Sequence, residues 1–201
     1  MSAEVACAPL GRRDNRTAIL DAAARLFSQR GVAAVSMAEL CRAAKVSNGT
    51  LFHFFGSKDA LVAALYLRAL EAYQETIART LEAAPTARDG VRDLVRAHVR
   101  WVLANPGPAR TLHELRRGEA EQAVDAAIAE RNDTFAARVG AWLKPHVERG
   151  ELRRVAPDVL VAVLFGPVQV MTRDWLRSGK AKRLRASADE LADAAWAALA
   201  P

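Results

Sequence analysis

The chain has 201 residues, 51% of them hydrophobic, which is enough for one large domain or two small ones with a substantial core. Its 29 lysines and arginines exceed its 23 aspartates and glutamates, so the net charge of +6 permits a polyanionic partner without requiring one. We read no apolar run near the ~20 residues that span a bilayer and no signal-peptide order at the start, so we expect a cytoplasmic protein with no membrane partner.

The first elements are predicted to be helices, because alanine, leucine, arginine and glutamate dominate and β-branched residues never alternate with period two. A flexible tail is predicted over residues 1–13. A first helix then runs from about Asp14 to Gln29, and Gly31 supplies the left-handed residue that ends it. Ser36 and Glu39 have the spacing of a capping box, which predicts the start of a second helix.

Two further signals complete an N-terminal three-helix unit. Ser47 caps a third helix over about Asn48–Phe55, in which Leu51 and Phe55 share one face at i, i+4 spacing. Ser57 starts a fourth, long helix. Two short helices joined by a tight turn and packed on a supporting helix form a helix-turn-helix. We therefore predict a DNA-binding domain over residues 14–60, with a connector helix from residue 58.

The rest of the chain, residues 61–201, is predicted to form a second all-helical domain. The periodicity and the Pro and Gly stops predict helices over Arg88–Ala104, about Pro108–Arg117, about Glu119–Gly150, Pro157–Arg177 and Ser187–Leu199. Ser187 and Glu190 repeat the spacing of a capping box at the start of the last helix. The predicted fold class is all-α throughout.

The positive charge of the chain is concentrated near its N-terminus. Residues 11–58 carry eight basic side chains (Arg12, Arg13, Arg16, Arg25, Arg30, Arg42, Lys45, Lys58) against three acidic ones (Asp14, Asp21, Glu39). The free backbone N–H groups at the start of the third helix can accept phosphate oxygens, and Gly49 there allows a sugar-phosphate backbone to approach closely. This distribution favours a nucleic-acid partner for the helix-turn-helix.

The segment ILDAAARLFSQRGVAAVSMAELCRAAKVSNGTLFHFFGSKDAL closely resembles the DNA-binding domain of the TetR/AcrR family of transcriptional regulators. By this resemblance Ser36, Thr50 and Lys58 would contact phosphates. Asn48, Gly49 and His53 would face base edges or backbone in the major groove. The predicted DNA-binding residues are Ser36, Arg42, Lys45, Ser47, Asn48, Gly49, Thr50, Phe52, His53 and Lys58.

Three residues depart from the family pattern. Lys45 replaces the usual glycine of the turn, which costs on the order of 1 kcal/mol if the position is left-handed. Phe52 stands where tyrosine is usual, so no hydroxyl can reach a phosphate from there. Phe54 replaces a frequent histidine. An apolar contact, such as one with a thymine methyl group, could replace the lost hydrogen bond.

The resemblance also implies a C-terminal domain that holds a small effector and dimerises. Residues 157–177 and 187–199 would pair with their copies, placing two helix-turn-helix units on a palindromic operator. An apolar or aromatic effector would release the DNA, most often as relief of repression, and no cofactor is implied. The candidate effector residues are His98, Trp101, Leu112, His113, Asn132, Phe135, Trp142, Phe165, Met171 and Trp175. Tryptophan and methionine at helical spacing are also typical of a plain core.

Two other classes of function are weighed against this one. An enzyme is disfavoured, because the HELRR motif at His113 is not HExxH and no GxSxG or phosphate-binding glycine loop occurs. Cys7 and Cys41 form no CxxC pair, and we interpret Cys41 as a buried structural thiol rather than a redox sensor. A protein-binding adaptor that has lost operator recognition rests only on Phe52 and Phe54.

Overall fold

The structure is a computed structural model that describes residues 12–114 and 125–201, and these ranges contain helices and no strand. The all-α prediction is therefore confirmed over the described residues. The helices are α1 (Arg12–Arg30), α2 (Met37–Ala44), α3 (Asn48–Phe55), α4 (Lys58–Glu82), α5 (Ala87–Ala104), α6 (Pro106–Glu114), α7 (Asp125–Glu148), α8 (Pro157–Ser178), α9 (Ala181–Ala186) and α10 (Ala188–Leu199).

The chain divides into two compact units, one ending at Leu65 and the other beginning at Tyr66. The division falls within α4, as does the boundary between residues 60 and 61 that we placed from the sequence. Residues 1–11 of the predicted tail lie outside the described residues. Residues 12 and 13 instead begin α1, so the first helix starts earlier than the predicted Asp14.

The N-terminal unit is held together by apolar side chains at helical spacing on its first three helices. Ile19 of α1, Leu40 of α2 and Leu51 of α3 are all fully buried. Burying a leucine or isoleucine side chain contributes about 1.5–3 kcal/mol, so these contacts fix α3 against α1 and α2. Arg16 lies over the ring of Phe55, with its guanidinium carbon 5.5 Å from the ring centroid.

The core of the second unit is built around α5, which packs against α8 and α10. Ten residues of α5 are buried, and they recur at the spacing of three and four expected for a helix with apolar neighbours on most sides. Thr86 caps the helix by accepting a hydrogen bond from the backbone N–H of Asp89 at 3.1 Å. This central helix also carries His98, which is buried among the apolar side chains.

The end of the chain differs from the prediction in one respect. The structure contains a short helix, α9, directly before α10, which the sequence did not reveal. Ser187 has helical dihedral angles and caps nothing with its side chain. Its backbone N–H donates to the carbonyl of Arg183 at 3.1 Å, so Ser187 already takes part in the helical hydrogen bonding of α9. The predicted second capping box is therefore wrong.

Helix α8 is more apolar than the sequence reading allowed. By length and composition alone, its 22 residues are apolar enough to cross a membrane, contrary to the expectation from the sequence. One side of α8 is buried in the second unit through Leu164, Val168 and Thr172. Core helices of soluble proteins can have the same length and composition, but only 22% of the most apolar stretch of α8 is buried. Helix α8 therefore has an exposed apolar side.

Candidate functional site

The second helix begins with the predicted capping box. The Ser36 hydroxyl accepts a hydrogen bond from the Glu39 backbone N–H at 3.2 Å, and Glu39 Oε2 accepts from the Ser36 backbone N–H at 2.8 Å. Arg30 of α1 binds the same carboxylate at 2.7 Å. The hydrogen bond from the Ser36 backbone, together with Arg30, lowers the pKa of Glu39 to about 2. Glu39 is thus ionised and paired with Arg30, which reduces its repulsion of a polyanion.

The turn between α2 and α3 contains Lys45 in the left-handed conformation, with φ 57° and ψ 41°. Among the described residues it is the one non-glycine residue with positive φ. The backbone N–H of Val46 donates to the carbonyl of Cys41 at 3.0 Å and closes the turn. The side chain of Lys45 is exposed, so the substitution of the usual glycine adds a solvent-facing cation beside α3.

Replacing Lys45 by Gly should stabilise the N-terminal unit by on the order of 1 kcal/mol. The left-handed backbone costs an L-residue about 1–2 kcal/mol, and the larger unfolded-state entropy of glycine offsets only part of that gain. Thermal unfolding followed by circular dichroism measures the change. Lys45→Ala is the matched control, because it removes the charge and keeps the strain. Equal stability of the Gly and Ala variants would contradict this account.

The third helix spans Asn48–Phe55 as predicted, with Ser47 as its cap. The Ser47 hydroxyl accepts from the Thr50 backbone N–H at 3.0 Å and lies 2.8 Å from the Thr50 hydroxyl. A Cβ atom added at Gly49 would meet nothing closer than the Ser47 hydroxyl at 3.8 Å. The fold itself therefore does not require glycine there, and the open space is available to an external partner.

The aromatic residues of α3 lie in three different environments. Phe55 is buried with Leu51, as predicted from their spacing. Phe54 is half-buried and packs edge-on against His53, with ring centroids 5.3 Å apart. Phe52 is 46% exposed. Of the two unusual phenylalanines, Phe52 is therefore the one that presents a large apolar surface to solvent.

The ten predicted DNA-binding residues all lie from Ser36, the N-cap of α2, to Lys58, the first residue of α4. Thr50 and Lys58 are half-buried, and the other eight are exposed. Arg42, Lys45 and Lys58 form no ion pair within the part of the chain that the structure describes. No described acidic side chain thus neutralises their charge, and the capped N-terminus of α3 lies beside it. This surface can bind an extended anion such as a nucleic-acid backbone.

In the second unit, three of the predicted effector residues belong to or lie beside a polar network of half-buried Tyr73 and buried His98 and Thr172. The hydroxyl of Tyr73 lies 2.7 Å from Nδ1 of His98, and Nε2 of His98 lies 3.2 Å from the hydroxyl of Thr172. Trp101 packs edge-on against Tyr73, and Phe165 lies close to His98. Burial, with a smaller effect of His113, lowers the pKa of His98 to about 4. Burial also raises the pKa of the Tyr73 hydroxyl.

The sequence reading missed Tyr73 and Thr172. Their signal was present, because each is a polar group on the apolar side of a helix, as His98 is. Which helices face one another is a tertiary property, however, and one sequence does not reveal it.

The other predicted effector residues are distributed more widely. Asn132 is exposed, and its side-chain Oδ1 accepts a hydrogen bond from Nε2 of Gln74 at 2.9 Å. Trp142 lies against Gly90 of α5 and 4.5 Å from the ring of His146. The remaining five are half-buried: Leu112, His113, Phe135, Met171 and Trp175.

A depression of about 420 Å³ lies elsewhere in the second unit, on α5, α9 and α10. None of the ten predicted effector residues lines it. Its lining consists of Arg96, Val99, Arg100, Leu103, Ala104, Arg185, Ala188 and Asp189.

Residues 19–65 match the family model described as bacterial regulatory proteins, tetR family. The HTH-type transcriptional regulator BetI of Rhizobium meliloti (strain 1021) is 36% identical over 85 residues, 42% of this chain and 42% of BetI. The HTH-type transcriptional repressor Rv3405c of Mycobacterium tuberculosis (strain ATCC 25618 / H37Rv) is 46% identical over 57 residues, 28% of this chain and 30% of the relative. The matches thus span less than half the length of these relatives.

Solved structures resemble most of the chain. A putative tetR family transcription regulator from Shewanella sp. PV-4 superposes with a TM-score of 0.71 at 23% identity, covering 93% of this chain and 98% of its own. FadR from Bacillus subtilis, solved in complex with stearoyl-CoA, gives a TM-score of 0.75 at 15% identity, covering 89% and 96%. At these identities the likeness concerns the fold: an N-terminal helix-turn-helix followed by a helical domain.

Proposed function

We propose, from the premise that this chain belongs to the TetR family of DNA-binding transcriptional regulators, that it is a ligand-responsive repressor. In this proposal a homodimer binds a palindromic operator in the cytoplasm, and a small hydrophobic effector releases it. The relatives matched above are transcriptional regulators rather than enzymes. One observation carries the proposal: the exposed side of α3 presents polar and aromatic groups beside cations that form no ion pair with any described residue.

Operator binding is supported by the way α3 is built. Leu51 and Phe55 fix one side of the helix in the core, so Asn48, Phe52 and His53 are left on the surface. Polar groups on such a helix can read base edges in the major groove, and an exposed phenylalanine can contact a thymine methyl group. Arg42, Lys45 and Lys58 would contact phosphates and hold the helix in register.

Replacing Lys58 by Ala should weaken binding to every DNA sequence by a similar factor. A phosphate contact carries no sequence information, so the slope of log K against log salt should fall by about one. Fluorescence anisotropy at several salt concentrations measures the slope. Lys180→Ala, an exposed lysine of the second unit, is the matched control and should leave the slope unchanged. An unchanged slope for Lys58→Ala would favour the adaptor alternative.

Dimerisation is supported by the exposed side of α8. Val159 and Val170 lie on one face of the helix, about three turns apart, and are 46% and 64% exposed. Half-buried Val163 lies between them on the same face. A second copy packed on this face would remove the valines from water and would explain the exposed apolar side of α8 without a membrane.

Val170→Glu should shift the sedimentation coefficient from that of a dimer to that of a monomer. A monomeric wild-type chain would contradict the proposed dimerisation through α8.

Effector binding is supported by the polar network around His98. A ligand pocket is mostly apolar with a few polar groups that fix orientation, and the Tyr73–His98–Thr172 network beside Trp101 and Phe165 has this composition. The stearoyl-CoA complex of FadR motivates long-chain acyl compounds as first candidates for this chain. A thermal-shift screen tests the idea, since a ligand at 100 Kd adds roughly 2.7 kcal/mol to stability. If no compound in a diverse hydrophobic panel stabilises the protein, the residues around His98 are better interpreted as a plain core.

Release of DNA requires that the effector bind two conformations unequally. We propose that α4, which belongs to both units, carries this difference and changes the spacing of the two α3 helices on the operator. A compound that stabilises the protein without lowering its operator affinity would contradict the switch and leave operator binding intact.

A further inference from the structure

A side-chain hydrogen bond joins the two helices of the helix-turn-helix. The thiol of Cys41, which is buried on α2, donates to Oδ1 of Asn48 at 3.2 Å. Asn48 is the first residue of α3 and is exposed on the surface proposed to meet DNA. Cys41 is therefore more than a core thiol, because its sulfur contacts a side chain of the DNA-facing helix.

This bond determines which branch of the Asn48 carboxamide is available to a partner. The carboxamide is planar and carries an acceptor oxygen on one branch and an NH₂ group with two donors on the other. Because Oδ1 is turned toward the buried thiol, Nδ2 is directed away from Cys41. Within the described ranges no group accepts a hydrogen bond from it. Asn48 therefore offers two donors to whatever approaches α3.

We propose that Cys41 is a positioning residue that makes Asn48 select guanine in the operator, an inference that rests on the proposed operator binding. In the major groove guanine presents two acceptors, N7 and O6, which an outward NH₂ group can meet. The usual pairing of asparagine with adenine needs the amide oxygen to accept from N6, and that oxygen is held by the thiol. Cytosine presents a donor at this edge and is disfavoured.

The test begins with duplexes selected from a random library by the full-length wild-type chain. Affinities are then measured for all four bases at each position of the selected site. We expect one position in each half-site at which guanine is preferred over adenine by about 5- to 150-fold, the range for a good bidentate contact. Asn48→Ala should remove that preference and leave the ranking at other positions unchanged.

The Cys41 variants separate positioning from a purely structural role. In Cys41→Ala the amide can rotate, so the guanine preference at the Asn48-dependent position should fall several-fold toward equality with adenine. Cys41→Ser keeps a hydroxyl donor and should retain the preference. Val35→Ala is the matched control, because it truncates a buried side chain just before α2 and should lower affinity for all sequences alike.

Asn48→Asp provides a test that leaves the buried thiol in place. It keeps an inner oxygen for Cys41 and replaces the outward donors by an acceptor, so the preferred base should change from guanine to one that presents a donor. An unchanged ranking in both Cys41→Ala and Asn48→Asp would overturn the inference. Wild-type preference for adenine at that position, or equal affinity for all four bases, would do the same. If the selection recovers no bound duplex, the proposed operator binding is contradicted instead.

Discussion

Gly90→Ala should destabilise the second unit by roughly 1–3 kcal/mol, the usual cost of forcing an extra methyl group into a packed core. A Cβ atom at this position would lie 2.1 Å from Cζ2 and 2.4 Å from Cη2 of Trp142. Both atoms belong to a rigid ring, so relief requires that α7 or the whole indole move. Urea unfolding followed by tryptophan fluorescence measures the loss, and all four tryptophans (Trp101, Trp142, Trp175, Trp196) belong to this unit.

Gly140→Ala is the matched control for this result. It lies within α7, and nothing comes within 4 Å of a Cβ atom added there. Alanine in an open helical position should raise stability by about 0.5–1 kcal/mol. The two Gly→Ala changes are thus expected to have opposite signs. Shrinking the ring in the double variant Gly90→Ala/Trp142→Phe should recover part of the loss. Equal stability of the two single variants would contradict the described packing of α5 and α7.

The second large effect concerns His98 and pH. Burial lowers its pKa from the ordinary 6.5 to about 4, so the folded protein keeps the ring neutral where the unfolded chain protonates it. The stability that His98 contributes is therefore complete above pH 6.5 and declines as the pH falls toward 4. At 1.36 kcal/mol per pKa unit, the loss approaches about 3 kcal/mol by pH 4. The free energy of unfolding, measured by urea titration between pH 4 and pH 8, tests this slope.

Replacement of His98 by Asn removes the titrating group and keeps a polar side chain for Tyr73 and Thr172. The variant should be less stable than the wild type at pH 8, because its shape differs, yet its stability should depend less on pH below 6.5. His53→Ala, which removes an exposed histidine of the other unit, serves as the control substitution. An equal slope in His98→Asn and wild type would show that other groups govern the acid response.

Local signals in the sequence were sufficient for α2 and α3. The Ser36–Glu39 capping box, the Ser47 cap and the i, i+4 pair Leu51 and Phe55 act within a few residues of one another, so their consequences can be deduced from spacing. The left-handed conformation of Lys45 was expected only if the position kept the backbone of the glycine usual in the resembling family, and the structure has that conformation.

Signals that depend on neighbours in space were missed or misread. Ser187 has the residues of a capping box, but the preceding α9 already supplies helical hydrogen bonds at that point. The tight packing at Gly90 depends on Trp142 of α7, which is distant in the sequence. The bond from Cys41 to Asn48 depends on how α2 and α3 pack, which their separate periodicities do not determine.

Sequence-selective binding of a DNA duplex is the central claim, and competition anisotropy with the full-length chain tests it most directly. The chain is first bound to a labelled duplex obtained by selection. Two unlabelled competitors are then titrated separately: the selected duplex, and a scrambled duplex of equal length and composition. At physiological salt we expect the selected duplex to bind at least 10³-fold more tightly than the scrambled one. The variant carrying both Asn48→Ala and Phe52→Ala should lose most of that ratio. Equal competition by the two duplexes would contradict the assignment of α3 as a reader of DNA sequence.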